Sequence, residues 1–267
     1  MIYLSQGYLN LLSLCPRKFQ YSYLEHLEAP VSPDQQARIA WGNQFHLLMQ
    51  QQELGLSIAP LLTEYPQLQT AINTVLHHIR DVSDDPTTTL STRDAEHCRT
   101  LLTSIAGYDY VFTVIYDLVI LQPHHAYILD WKTYPQPQQA DRLANNWQTR
   151  LYPYVLAETT AYAPEQITMT YWFVSSAQNA QPTSLTFPYS TTQHHQTRQT
   201  LTELLTQLTA WLQQFQHGIE LPQVPESFGL CSSCPYAIRC QRHLSQQAAI
   251  PENWLAQVLQ EDNTTEA

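Results

Sequence analysis

Two lysines serve the whole 267-residue chain, and one of them stands in Asp130-Trp131-Lys132. The run Ala126 to Leu129 before it reads as a buried strand. Tyr110 to Leu121 reads as another, with Asp117 inside it. Side chains alternate along a strand, so Asp130 and Lys132 project from one face. In a chain that otherwise avoids lysine, a lysine beside apolar runs is not there as a solubilising charge. Divalent Mg²⁺ or Mn²⁺ takes oxygen ligands, commonly one or two carboxylates with waters and substrate phosphate. Asp117 and Asp130 on neighbouring strands could supply them. Such an ion activates water and neutralises charge on a phosphate. Lys132 could then stabilise an attacking hydroxide or the scissile phosphate, which gives the parts of a metal-dependent phosphodiesterase. His46, one helical turn after Gly42, could add a nitrogen ligand. Gln148 and Tyr152, at i and i+4 on a later helix, point the same way and could orient water, the lysine or a phosphate.

Each part has a bland reading when taken alone. A strand aspartate is more often an edge carboxylate, Asp-x-Lys is a frequent accident, and a helical histidine is more often packed or solvated. Order and placement on distinct elements carry the signal. The elements follow from periodicity. Ser5 is a helix cap ahead of Tyr8, Leu11 and Leu12, and Pro16 opens a second helix. Gln36 to Leu54 is helical, and Gly55 to about Thr103 reads as mixed and mostly helical, with Cys98 a small buried or half-buried residue on a helix. The two strands are joined by Gln122 to His125, a hairpin length. Asp141 to Ala161 is helical with Pro153 kinking or dividing it. Gln166 to Ser175 and Ser184 to Pro188 are strands, and Thr191 to Gln216 is a long helix. The paired histidines His77-His78, His124-His125 and His194-His195 read as surface residues.

Composition narrows the class. Hydrophobic residues make up 43% of the chain and charged residues only 13%, enough to build a core. No run of about 18 apolar residues marks a membrane span, and the start lacks a basic region and an unbroken apolar stretch. A cytoplasmic protein without a membrane partner is expected. The net charge of −11 argues against a broadly basic clamp, because nucleic-acid affinity comes largely from neutralised phosphates. A nucleic acid would have to be held locally, by a few arginines and by metal ions.

Three thiols fall within ten residues in Cys231-Ser-Ser-Cys234-Pro-Tyr-Ala-Ile-Arg-Cys240, and a fourth, Cys15, lies far upstream. Four thiols suit an iron–sulfur cluster or a structural zinc. Zinc more often uses two close pairs than a triplet with one remote partner. Closing so long a loop would remove much unfolded-state entropy.

The ordered set Gly42-x-x-x-His46, Asp117, Asp130-x-Lys132 and Gln148-x-x-x-Tyr152 resembles the RecB-like branch of the PD-(D/E)XK nuclease superfamily. The resemblance implies an α/β fold, a small central mixed sheet flanked by helices with a restriction-endonuclease-like core. His46, Asp117, Asp130 and the backbone carbonyl of Trp131 would hold Mg²⁺ or Mn²⁺. Lys132 would assist catalysis, with Gln148 and Tyr152 completing the catalytic set. Tyr116 stands where the family often has glycine before the strand aspartate, and Asp130 where many members have glutamate. Cys15, Cys231, Cys234 and Cys240 resemble the [4Fe–4S] staple of AddB-type and CRISPR-associated RecB-like nucleases, with zinc the alternative. The implied organisation is one nuclease domain over 1–260. Residues 1–30 and 218–245 would form the cluster region, 55–105 a helical insertion, and 261–267 a disordered tail. Arg17, Lys18, Arg142 and Arg150 are candidate contacts to DNA, either single strands or ends. The implied function is a metal-dependent DNA nuclease, an exonuclease or end-processing enzyme of repair or recombination. The alternative is a DNA-end binding or assembly module in a repair or CRISPR adaptation complex. A helicase or a CRISPR adaptation protein would be the partner.

Overall fold

A computed structural model describes residues 1–64, 66–83, 91–134, 140–174 and 181–242. The acidic tail expected after Glu261 lies outside the described residues. The elements in chain order are β1 (Ile2–Leu4), α1 (Gln6–Leu14), α2 (Pro16–Phe19), α3 (Pro33–Glu53), α4 (Ala59–Glu64), α5 (Pro66–Ser83), β2 (Thr92–Ile105), β3 (Tyr108–Leu121), β4 (Ala126–Lys132), α6 (Ala140–Ala144), α7 (Trp147–Thr159), β5 (Ile167–Phe173), β6 (Thr183–Pro188) and α8 (Thr191–Gln216). The strands form a mixed sheet in the order β1-β3-β4-β5-β6, with β2 paired to β3. Pairing is parallel for β1–β3 and β4–β5, and antiparallel for β3–β4 and β5–β6. This is the α/β class that the sequence implies.

Two compact units share the chain. Of the described residues, the first holds 1–35, 102–112 and 198–242. Here Ser5 caps α1 by accepting from the Tyr8 amide, and Pro16 opens α2 at its first position, where no amide is needed. The N-terminal helices are tied to the segment after α8 by polar contacts. The Arg17 amide donates to Pro222 O at 3.0 Å, the Leu221 amide to Gln20 Oε1 at 2.7 Å, and the Tyr236 hydroxyl to Leu27 O. Leu201, Leu205, Leu208 and Leu212 line the buried side of α8, and Tyr110 hydrogen-bonds Thr209 at 2.6 Å.

The second unit spans 36–101 and 113–197. Its core is one apolar cluster. Phe45, Leu48 and Met49 of α3 join Leu68, Ile72, Val75 and Ile79 of α5 over Leu118 and Ile120 of β3, Leu129 and Trp131 of β4, and Trp172 of β5. Trp131 is thus core, and the residues flanking it, Asp130 and Lys132, take the opposite face by alternation.

Three expectations are corrected. The helical reading of 55–105 holds for α4 and α5, but Thr92–Ile105 is a 14-residue strand. Nowhere along it is a residue fully buried, so no apolar alternation marks it, and pairing with β3 overrides the helix-forming residues Ala95, Glu96 and Arg99. Cys98 is accordingly an exposed strand residue. The helix read over 141–161 divides at Asn145-Asn146 and not at Pro153, which α7 accommodates. Asn146 caps α7, accepting from the Gln148 amide at 2.8 Å. His194 is buried, between Glu158 Oε1 at 2.9 Å and the Tyr189 hydroxyl at 3.3 Å.

Since Ile120 is fully buried in the apolar cluster, Ile120→Ala is expected to lower unfolding free energy by about 2–5 kcal/mol. Urea denaturation in EDTA checks this away from any metal effect.

Candidate metal centre

Five elements of the second unit each deliver a polar side chain to one place. Helix α3 brings His46. Gly42, one turn earlier, passes so close to the end of β4 that a Cβ there would lie 2.9 Å from Thr133 Oγ1. The glycine therefore sets how near the helix, and His46 with it, comes to the strand that carries Lys132. His46 Nδ1 is 3.4 Å from Asp117 Oδ1.

Asp117 sits where β3 stops being regular. Its ladder with β4 runs from Leu121↔Ala126 to Leu118↔Leu129. One step further, the Trp131 amide donates to Asp117 Oδ2 at 2.6 Å instead of to backbone. Tyr116 donates to Tyr152 O on α7, while Leu118 packs with α3 and α5, so strict alternation breaks between them. That break aims Asp117 as a bulge does.

Asp130 and Lys132 do share a face. Lys132 Nζ lies 2.6 Å from Asp130 Oδ1 and donates to Gln148 Oε1 at 2.7 Å. Gln148 Nε2 donates back to Asp130 Oδ2. The Tyr171 ring, 5.2 Å away, covers the ammonium. Asp130 Oδ1 meets the lysine at ion-pair distance without hydrogen-bond geometry, so it keeps capacity for a further ligand. Tyr152 is buried beside Gln148, with its ring edge-on to Tyr116 at 5.3 Å.

Glu96 completes the set, and the sequence reading did not find it. The ligand atoms of His46, Glu96 and Asp117 lie within 4.8 Å of one another. Glu96 has φ +52° inside β2, a left-handed backbone that costs energy for a non-glycine residue and turns its side chain out of the strand's alternation. The available signal was the Ala106-Gly107 pair between β2 and β3. Both residues have positive φ, as a two-residue hairpin turn requires, and a hairpin implies a strand before Tyr108.

The electrostatics follow from crowding acids in a dry place. Burial first, then Asp117, pushes Glu96 up to about 7. Burial raises Asp130 to about 6, and the Lys132 ammonium limits that rise. Burial works against the His46 imidazolium, but Asp117, with Asp130 and Glu96 behind it, outweighs it and holds His46 at about 9. The Glu96 and Asp117 carboxylates and the His46 imidazole form a hard donor set of a kind that suits Mg²⁺ or Mn²⁺.

The four cysteines Cys15, Cys231, Cys234 and Cys240 line one cavity in the first unit, with Leu14, Lys18 and Tyr236. Burial raises the thiols of Cys234 and Cys240. Among the described residues, no three of these sulfurs lie within 4.8 Å of one another. The proposed DNA contacts fare unevenly. Arg17 is buried and committed, with Nε to Leu221 O and NH1 to Glu220, both at 2.7 Å. Lys18 is buried in the thiol cavity. Both corrections arise because α2 packs these side chains inward. Arg150 lies over the Trp147 ring at 4.6 Å, and Arg142 is exposed on α6.

A mixed sheet bearing clustered acids, an imidazole and an ammonium locked to one acid is an arrangement that could hold a divalent ion. The sequence profile of the PD-(D/E)XK nuclease superfamily matches residues 3–241, and the chain belongs to that superfamily. Among solved structures, a Eubacterium rectale protein provisionally designated an exonuclease aligns with TM-score 0.51 and 12% identity, over 99% of this chain and 94% of its own. That likeness is one of fold. The structure of SSO0001 aligns with TM-score 0.45 and 12% identity, over 92% of this chain and 89% of its own. No curated protein matches the chain. Among the described residues, no helix is long and apolar enough to cross a membrane.

The pH dependence has a definite sign. Native Asp130 and Glu96 hold protons that the unfolded chain loses between their ordinary values, 3.8 and 4.5, and about 6 and 7. Native His46 stays charged from 6.5 to about 9. In all three cases the folded state binds more protons, so metal-free stability falls as pH rises through these windows. EDTA-treated protein is expected to melt lower at pH 8 than at pH 5. Mn²⁺ binding should tighten over the same range and release protons, as read by calorimetry in buffers of different ionisation enthalpy.

Proposed function

We propose that the chain is a Mg²⁺- or Mn²⁺-dependent deoxyribonuclease, an exonuclease or end-processing enzyme of DNA repair or recombination. The observation that carries this is Lys132, held between Asp130 at 2.6 Å and Gln148 at 2.7 Å, next to the His46, Glu96 and Asp117 group. Superfamily membership makes nucleic acid the substrate class. The designation of the E. rectale protein supports exonuclease action.

His46, Glu96, Asp117 and Asp130, with the Trp131 carbonyl, would hold the ion, which supplies an activated water and charge neutralisation at the phosphate. The chain's own residues do the rest. The Trp131 amide fixes one Asp117 oxygen and leaves the other toward His46. Gln148, placed by the Asn146 cap, holds Asp130 and Lys132 in register. Lys132 presents a rigid ammonium to a non-bridging phosphate oxygen and stabilises charge that develops there.

A second reading draws support from the net charge of −11: a DNA-end binding or assembly module in a repair or CRISPR adaptation complex. Cleavage of labelled single- and double-stranded DNA with Mn²⁺ against EDTA separates the two. Lys132→Gln and Asp130→Asn are each expected to lower metal-dependent cleavage about 10²–10³-fold while the circular dichroism spectrum is retained. Binding without metal-dependent cutting by the unaltered chain would favour the module.

We further infer that Cys15, Cys231, Cys234 and Cys240 hold a [4Fe–4S] cluster of structural role. The support is four thiols lining one cavity, three within ten residues and one far upstream, a spacing less usual for zinc. Anaerobically purified protein is expected to show a broad brown absorption and about four irons per chain. Colourless protein with one zinc would replace the cluster by the zinc alternative.

A further inference from the structure

Glu96 reaches the metal centre against two difficulties. Its φ of +52° is costly for a residue other than glycine. Residues 92–95, just ahead of it on β2, have no buried side chain to anchor them. Strain of this kind persists only where neighbouring contacts hold it. Beyond Glu96 the strand is held by α7 and β3. His97 stacks on the Tyr116 ring at 6.2 Å, and Arg99 NH1 donates to Thr159 O at 3.3 Å. Across Glu96, His97 Nδ1 pairs with Asp94. Ahead of it stands one tie to another element. Arg93 Nε donates to Glu53 Oε2 at 2.9 Å, and Arg93 NH2 to Glu53 Oε1 at 2.8 Å. Among the described residues, this fork is the one side-chain hydrogen bond or ion pair that joins 92–95 to another element.

Glu53 lies two turns after His46 on α3, within about 20° of it around the helix. Its side chain is only 10% exposed, so its charge requires a partner. A planar guanidinium forked on a carboxylate fixes distance and orientation together, which a single contact does not. We propose that Arg93 and Glu53 are positioning residues that set the separation of Glu96 from His46, and through it the affinity of the site for a divalent ion. The proposal rests on the metal-centre reading and not on the nature of the substrate. His46 and Glu96 stand on two different elements, α3 and β2, and both must meet Asp117 within 4.8 Å. The fork joins those two elements beside the place where their side chains converge. Without it, the stretch ahead of Glu96 loses its hold on α3, the left-handed residue can relax, and Glu96 leaves the donor set. Groups that orient a ligand in this way are typically worth about 10–100-fold in metal affinity. A partly exposed ion pair adds little to global stability, so the effect falls on the site and not on the fold.

The test titrates Mn²⁺ alone into full-length protein, stripped with EDTA and dialysed, by calorimetry at fixed pH, beside urea unfolding in EDTA. Arg93→Gln and Glu53→Gln are each expected to weaken Mn²⁺ binding about tenfold with unfolding midpoints near wild type. The double variant is expected to bind no more weakly than either single one, because both remove the same fork. Arg93→Lys keeps the charge, loses the fork and is expected to lose affinity too. Ile120→Ala, which opens the core and leaves the fork intact, is expected to bind as wild type does. Wild-type affinity in Arg93→Gln overturns the proposal and leaves the metal centre standing. Single-variant losses that simply add, or an equal loss in Ile120→Ala, overturn it as well. If Arg93→Gln fails to fold, Arg93→Lys decides, and wild-type affinity there overturns the proposal. Wild-type protein that binds no Mn²⁺ overturns the metal-centre reading, and the proposal with it.

Discussion

The buried pair of Asp130 and Lys132 is the interaction on which the site is built. Neither charge is stable alone in that place, since an unpaired buried ion is strongly destabilising. Strand alternation puts them on one face, but alternation does not bring a carboxylate and an ammonium to 2.6 Å. Gln148 does this by accepting from one and donating to the other, and the Asn146 cap fixes where Gln148 stands. A helix cap thereby determines the geometry of an ion pair on a strand. The apolar cluster on the other face holds the strand still, with Trp131 as its anchor.

The sequence disclosed what depends on side-chain type and short spacing. The alternation of β3 and β4, the Asp130-x-Lys132 face and the Gln148-x-x-x-Tyr152 helix are local patterns, and each lies where its period placed it. What depends on pairing or on backbone strain was not legible. Strand β2 has charged residues and no buried face, so only its partner strand makes it a strand. Glu96 reaches the site through a left-handed φ, which no residue identity announces. Pro153 suggested a break that falls instead at Asn146, because a capping side chain ends one helix and starts the next more effectively than one missing amide divides it. His194 looked like a surface residue because adjacent histidines share no face, yet Glu158 and Tyr189 supply both ring nitrogens with partners.

Gly42 shows how one motif position ties helix to strand. Its spacing from His46 could be read as a sequence signature, but the reason for glycine is steric. With Thr133 Oγ1 only 2.9 Å from where a Cβ would lie, a larger residue must displace the Thr133 hydroxyl or part the helix from the strand end. Parting them would change the distance from His46 to Asp117. The motif therefore encodes a separation between two elements, and the imidazole is one beneficiary of it.

Acidity and nucleic-acid chemistry are reconciled by where charge is concentrated. At −11, the chain repels a polyanion at long range, and Arg17 and Lys18 are buried, not arrayed on the surface. Burial and neighbouring acids raise the Glu96 carboxyl, and the same acids raise His46. A divalent ion held there would offer a phosphate oxygen an open coordination position, which protonated side chains cannot. On the proposed reading, affinity for the substrate backbone is thus conditional on metal loading. Because that attraction acts over a few ångströms inside a partly dry site, salt screens it far less than it screens a surface patch.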